Sequence, residues 1–164
     1  MPIFFLAAIL SLVADQGSKI WVRRALPEGD ALSFWPGVMH LEHVQNHGAA
    51  WGVLSGQKWL LIVFTLVVVG LIVSSAREVA SRSRVAALGF GLILGGALGN
   101  LIDRILFSHV TDFFDLDTPI RALQTFPVFN VADCALTIGV VLMLLSFVFG
   151  PKAVAPASLD SNPS

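Results

Sequence analysis

Four apolar stretches, at residues 3–22, 59–76, 85–106 and 129–150, are each long enough to cross a membrane, and their few polar residues gather toward one side of it. A helix needs roughly 20 mostly apolar residues to cross about 30 Å of hydrocarbon. Consecutive spans alternate direction, so the ends of the first and third and the start of the fourth face the same leaflet. Asp15, Gln16 and Lys19 sit toward the end of the first. Asn100, Asp103 and Arg104 end the third, and Asn130 and Asp133 open the fourth. Ionisable groups in hydrocarbon are costly enough that they usually mark a site. Their convergence points to a reaction centre near one membrane face.

A chain that is 55% hydrophobic and 13% charged fits this class, and a net charge of −1 gives no basis for a nucleic-acid partner. The single cysteine, Cys134, falls inside the fourth span, which excludes an intrachain disulfide. The first stretch lacks a basic leader, and Asp15, Gln16 and Lys19 stand where a cleavage site would need small residues. It reads as a retained span rather than a cleavable signal. Arg77, Arg82 and Arg84 crowd the turn expected between spans two and three, and Lys152 follows span four. By the positive-inside tendency both termini are cytoplasmic, although Arg23, Arg24, Lys58 and Arg121 fall on the other side. The polar cluster then faces outward.

The fold expected is an all-α membrane protein, a four-transmembrane-helix bundle with a small extracytoplasmic β-like element between spans one and two. Pro27-Glu28-Gly29-Asp30 and Trp35-Pro36-Gly37 are turn signals there, and residues 38–44 carry a weak strand signal. The second outer loop, 107–128, is expected to lay Phe113, Phe114, Leu116 and Ile120 in the interface with its acids toward water. Residues 1–150 form one integral membrane domain on this reading. The Pro-, Ala- and Ser-rich tail, 151–164, is expected to be disordered and cytoplasmic.

Asn100 lies one helical turn from both Asp103 and Arg104, so the three are expected to approach one another on one face. The glycines before them, Gly95, Gly96 and Gly99, suit a close helix contact. Asn130 and Asp133, three apart, also share a face. Two carboxylates at the edge of the hydrocarbon can share a proton, activate water and protonate a leaving amine, which is aspartic-protease chemistry. Asp133 is one candidate, against the plainer reading of a helix-start acid favoured by the macrodipole. Asp112 is the obvious partner by proximity, with Asp115, Asp117, Asp103 and Asp15 as rivals that spacing does not separate. Asp15 and Lys19, four apart, are expected to pair.

Other protease designs fit less well. His40, His43 and His47 with Glu42 suggest metal ligands, but no His-Glu-x-x-His occurs, so no metal is assigned. Ser18 and Lys19 are adjacent and point to different helix faces, Ser55 has no companion histidine, and Cys134 has no base on its own face.

Taken together, five blocks make the chain resemble the lipoprotein signal peptidases (signal peptidase II), bacterial intramembrane aspartic peptidases. They are Asp15-Gln16-Gly17-Ser18-Lys19, Asn46-His47-Gly48-Ala49-Ala50-Trp51-Gly52, the run from Gly95 to Arg104, Val110-Thr111-Asp112-Phe113, and Phe129-Asn130-Val131-Ala132-Asp133. The resemblance implies that Asp112 and Asp133 are the catalytic pair. It also implies that Asp15, Lys19, Asn46, Gly48, Asn100, Asp103, Arg104 and Asn130 bind substrate or support the site. Trp51 stands where the family commonly has Phe. The implied substrate is a prolipoprotein carrying diacylglycerol on its lipobox cysteine, cut immediately before that cysteine in the bacterial cytoplasmic (inner) membrane. No cofactor is implied, and membrane lipid and the lipid-modified signal peptide are the partners of a monomer. The alternative is a small ion- or proton-binding transporter subunit, which would spread polar residues across the full membrane depth to form a pathway.

Overall fold

The computed structural model describes residues 1–149; the tail expected to be disordered lies outside the described residues, as does Gly150. Among the described residues, four helices are long and apolar enough to cross a membrane: α1 (Pro2–Ala25), α2 (Lys58–Arg82), α3 (Arg84–Phe107) and α5 (Val131–Phe149). Strands β1 (Ala31–Trp35) and β2 (Met39–Asn46) separate α1 from α2. Strand β3 (Val110–Asp115) follows α3, and the short turn α4 (Arg121–Gln124) precedes α5.

Two boundaries differ from the hydropathy reading. The second helix does not stop at residue 76 but runs to Arg82, so the expected arginine-rich turn shrinks to Ser83. Hydropathy falls after Ala76, yet Ala, Arg and Glu are good helix formers and the helix continues beyond the apolar run. Ser83 closes α2 through its N–H to the Val79 carbonyl, and its hydroxyl accepts the Ala86 N–H as N-cap of α3. At the fourth span the helix begins at Val131, not at 129. Phe129 is already engaged: its carbonyl accepts the N–H groups of Phe113 and Phe114, and its own N–H donates to the Phe114 carbonyl.

The β-like element also proves larger than expected. Antiparallel β1 and β2 take a third strand from the second loop, giving the order β1-β2-β3. Leu41 lies opposite Phe114, Val44 opposite Asp112 and Asn46 opposite Val110. Val22, Leu41 and Phe113 are buried together, which seats the sheet on the end of α1. Phe113 and Asp112 are therefore buried rather than arrayed at an interface with the acid toward water. Of the other acids, Asp117 lies at the outer edge beside His40.

Helix α3 is the hub, packing against α1, α5 and α2, while α2 leans mainly on α3. Between apolar helices in lipid there is no hydrophobic gain in association, so close van der Waals packing and polar contacts must hold them. Gly91, Gly95 and Gly99 line the side of α3 that meets α1. A Cβ at Gly95 would run into the Ser11 hydroxyl and the Ala8 carbonyl, and one at Gly99 into the Asp15 carboxylate. On the other side, a Cβ at Gly96 would come within 2.6 Å of the Ala132 carbonyl oxygen of α5. Phe4, Ala8, Ile72, Ala76, Ala87 and Ile93 fill the end of the bundle away from the sheet.

Gly95→Ala is expected to destabilise the fold by about 1–3 kcal/mol through overpacking. Gly70→Ala, where nothing lies within 4 Å of the added carbon, should leave stability unchanged or slightly raised. Thermal unfolding of the two variants in detergent checks the contrast.

Candidate active site

Asp112 and Asp133 reach one cavity from different elements, β3 and the first turn of α5. Asn130 precedes Val131, the first residue of α5, and forms a capping box with Asp133. The Asp133 N–H donates to Asn130 Oδ1 and the Asn130 N–H donates to Asp133 Oδ2, each at 3.1 Å. A helix start thereby fixes the Asp133 carboxylate. Asp112 Oδ1 accepts from Asn130 Nδ2 at 2.6 Å, and its Oδ2 accepts from Asn46 Nδ2 at 2.9 Å. Asn130 thus touches both acids.

Asn100 connects this pair to the ion cluster behind it. Its Nδ2 donates to Asp133 Oδ1 at 3.0 Å, while its Oδ1 accepts from Asn130 Nδ2 at 3.2 Å and from Lys19 Nζ at 2.8 Å. With the ammonium on one side, the Asn100 carbonyl must face Lys19 and its amide must face Asp133. Lys19 is fully buried, 2.9 Å from Asp15 and 3.4 Å from Asp103, which are buried as completely.

Those two supporting carboxylates each grip the backbone just before one cavity carboxylate. Asp15 Oδ1 accepts the Ala132 N–H at 2.9 Å, and Asp103 Oδ2 accepts the Thr111 N–H at 3.0 Å. Arg23 completes the cluster, donating to Thr111 Oγ1 at 2.9 Å and lying 3.5 Å from Asp103. Buried charges persist only when paired and hydrogen-bonded. Among the described residues every buried side-chain nitrogen and oxygen has a partner.

The residues singled out in the sequence divide into two groups. Asn46, Asn100, Arg104, Asp112 and Asp133 line a cavity of 340 Å³. Asp15, Lys19 and Asp103 stand behind it. The third helix therefore does not present Asn100, Asp103 and Arg104 on one face as expected: positions 100 and 104 turn to the cavity while Asp103 turns to Lys19 and Thr111. Arg104 donates to the carbonyl oxygens of Asn100 at 3.3 Å and Gly48 at 3.0 Å. Gly48 lies so close beneath the loop that a Cβ would come within 2.8 Å of the Val53 carbonyl oxygen. Its N–H donates to Asn46 Oδ1, which turns the Asn46 amide toward Asp112.

Sequence reasoning passed over Arg23 and Thr111. Arg23 continues the four-residue spacing of Asp15 and Lys19 along α1, a signal that was available. It also passed over the walls: Trp51 and Phe126 meet edge to face across the cavity, ring centroids 5.9 Å apart. The loop histidines do not converge. His40 lies against Asp117, His43 Nδ1 contacts the Leu26 carbonyl at 2.9 Å, and His47 packs on His109.

Burial pushes the Asp112 carboxyl up to about 7, and the charge of Asp133 adds to the effect, against the opposing donors of Asn46 and Asn130. A second opening, 260 Å³, continues from the same residues between α2 and α5. Leu61, Phe64 and Val68 form one wall and Leu136 the other, with Asn100, Arg104 and Asp133 at its head. Two carboxylates that meet in one cavity, Asp112 pushed up to about 7, beside an apolar trough in a helix bundle, form an arrangement suited to adding water across an amide.

The family described as signal peptidase (SPase) II matches residues 7–149. A lipoprotein signal peptidase of Geobacillus thermodenitrificans (strain NG80-2) is 40% identical over 147 residues, covering 90% of each chain. That of Gloeobacter violaceus (strain ATCC 29082 / PCC 7421) is 44% identical over 147 residues, covering 88% of this chain and 80% of the relative. A bacterial membrane enzyme solved by the in meso method at 2.3 Å resolution superposes with a TM-score of 0.82 at 32% identity, covering 91% of this chain and 89% of the other.

Asn130→Ala removes a helix cap and a donor to a buried acid, and is expected to lower stability by about 1–3 kcal/mol. Asn130→Ser, which keeps a capping oxygen, should lose less. Thermal melts of the two variants at one pH give the comparison.

Proposed function

The chain belongs to the signal peptidase II family and removes signal peptides from prolipoproteins; we propose that it does so as an aspartic endopeptidase with Asp112 and Asp133 as its catalytic pair. The observation that carries this reading is the meeting of the two carboxylates in one cavity, where Asn130 donates to Asp112 from its side chain and to Asp133 from its backbone N–H.

In the proposed reaction the pair carries one proton. The ionised carboxylate takes a proton from a water molecule as its oxygen attacks the scissile carbonyl carbon. The protonated carboxyl donates to the carbonyl oxygen, and collapse of the tetrahedral adduct sends a proton to the departing amine. The elevated affinity of Asp112 for a proton supports a half-protonated pair at neutral pH. Because coupled acids titrate as a unit, the proton belongs to the pair rather than to one residue. Asn46, Asn100 and Asn130 hold the carboxylates with their donors. Asp15, Lys19 and Asp103 hold the backbone that carries them. These are support roles, and Gly48 serves by letting the loop close over Arg104.

The substrate on this reading is a diacylglyceryl-modified prolipoprotein, cut just before its lipidated cysteine. The trough between α2 and α5 supports lateral access from the bilayer for an apolar signal helix. Residues up to 149 act as one integral membrane peptidase domain, and a single chain supplies every group of the site, which supports action as a monomer. Arg77, Arg82 and Arg84 flank the Ser83 turn, at the end of the bundle away from the site. Their charge supports an arrangement in a bacterial inner membrane with both termini cytoplasmic and the carboxylates outward. A transporter is not favoured, since the polar residues collect at one end and the other end closes on Phe4, Ile72 and Ile93.

Asp112→Asn and Asp133→Asn should each reduce cleavage of a diacylglyceryl-modified prolipoprotein by at least about 100-fold, with the fold intact by thermal melt. Cleavage surviving Asp112→Asn would move the second carboxylate elsewhere. The pH profile is a separate check. Activity should fall as pH rises through about 7, because the shared proton is then lost and the carbonyl is no longer polarised. An activity that keeps rising to pH 9 would exclude the shared-proton mechanism.

A further inference from the structure

Hydrolysis at this site creates a new charge next to charges already present. Water oxygen enters the carbonyl carbon, the carbon–nitrogen bond breaks, and the signal peptide leaves with a terminal carboxylate while the amine leaves with a proton. That carboxylate forms beside an anionic pair, in a trough whose walls are apolar. Without a cation close by, the product anion would be repelled where it forms.

One cation lines that space. Arg104 is shared by the cavity and by the trough between α2 and α5, and among the described residues no other Lys or Arg lines either of them. Its hydrogen bonds go to two neutral carbonyl oxygens, those of Asn100 and Gly48. Among the described residues no carboxylate lies within 4 Å of it, whereas Lys19 and Arg23 are engaged with Asp15 and Asp103. A guanidinium has five N–H donors in a planar fork suited to a carboxylate. Two are spent here on carbonyls.

Resting on the peptidase reading above, we propose that Arg104 is a binding site for the terminal carboxylate of the released signal peptide. The direction of the substrate fits. A signal helix lying in the trough with its scissile end at the carboxylate pair brings its C-terminus to Arg104. A helix C-terminus carries partial negative charge on its free carbonyls, and the new carboxylate adds a full one. Arg104, which already feels Asp112 and Asp133 across the cavity, therefore meets little charge from the substrate before the bond is cut and a full anion afterward. The released peptide is held while the amine product leaves, and it inhibits further turnover.

The test compares two synthetic peptides of one apolar signal sequence, ending at the residue before the cut, one a free acid and one a C-terminal amide. Their affinities for the full-length protein in detergent at pH 7 are measured by displacement of a fluorescent copy of the free acid. The acid is expected to bind on the order of tenfold more tightly than the amide, as a charge-assisted bond requires. Arg104→Gln should bring that ratio close to one, and Arg104→Lys should retain part of it. The ratio is insensitive to general damage from losing the Gly48 contact, since such damage weakens both peptides alike. A ratio near one in the unmodified protein overturns the proposal even if Arg104→Gln fails to fold, and so does a preference for acid that survives Arg104→Gln. Either result alongside normal cleavage leaves the peptidase reading standing, whereas cleavage that persists in Asp112→Asn and Asp133→Asn removes both.

Discussion

The Lys19 ammonium is the contact on which the rest of the site depends. It is buried where lipid and helices exclude water, so its charge must be matched within the protein. Asp15 and Asp103 supply that match, and each also accepts a backbone N–H, Asp15 from Ala132 through its other oxygen and Asp103 from Thr111 through the oxygen that faces Lys19. These are the residues immediately before Asp133 and Asp112. One cation on α1 thereby sets the approach of both elements that carry the cavity acids, and through Asn100 it also sets which end of an amide faces Asp133.

That arrangement requires close helices. The glycines of α3 let α1 approach until the Asp15 carboxylate rests on Gly99. With side chains there, Lys19 and Asn100 would be held apart and the relay from ammonium to carboxylate would break. The same packing leaves a gap. Helices α2 and α5 both settle on α3 rather than on each other, and the space between them becomes the trough. A bundle with four equally packed helices would have no such opening.

Hydropathy and spacing made much of this legible. Length and apolarity marked the four long helices, and the depth of Asp15, Lys19, Asn100, Asn130 and Asp133 marked the end at which they gather. The pairing of Asp15 with Lys19 followed from a four-residue interval. What could not be read was which face each group takes once a third element intervenes. Asp103 and Arg104 are neighbours on one helix, yet they part because β3 brings the Thr111 N–H to one side and the Gly48 carbonyl comes to the other. The strand itself was hidden for a similar reason. Residues 110–115 mix threonine, aspartate and phenylalanine, and their strand character comes from pairing with β2, from which α2 and α3 separate them in the chain. The end of α2 was missed because hydropathy reports lipid contact, whereas the helix ends where Ser83 turns the backbone.

The capping box at the start of α5 carries a wider implication. Enzymes commonly sacrifice stability at the reacting groups, where charges are crowded for the benefit of the chemistry. Asp133 also bears a structural duty, because its carboxylate closes the first turn of a helix through the Asn130 N–H. Drift toward an apolar residue at this position would fray the helix and, on the proposed mechanism, silence the site as well. If Asp133 is catalytic as proposed, selection for a folded protein and selection for a working one act on the same oxygen atoms, and this corner of the molecule is guarded twice.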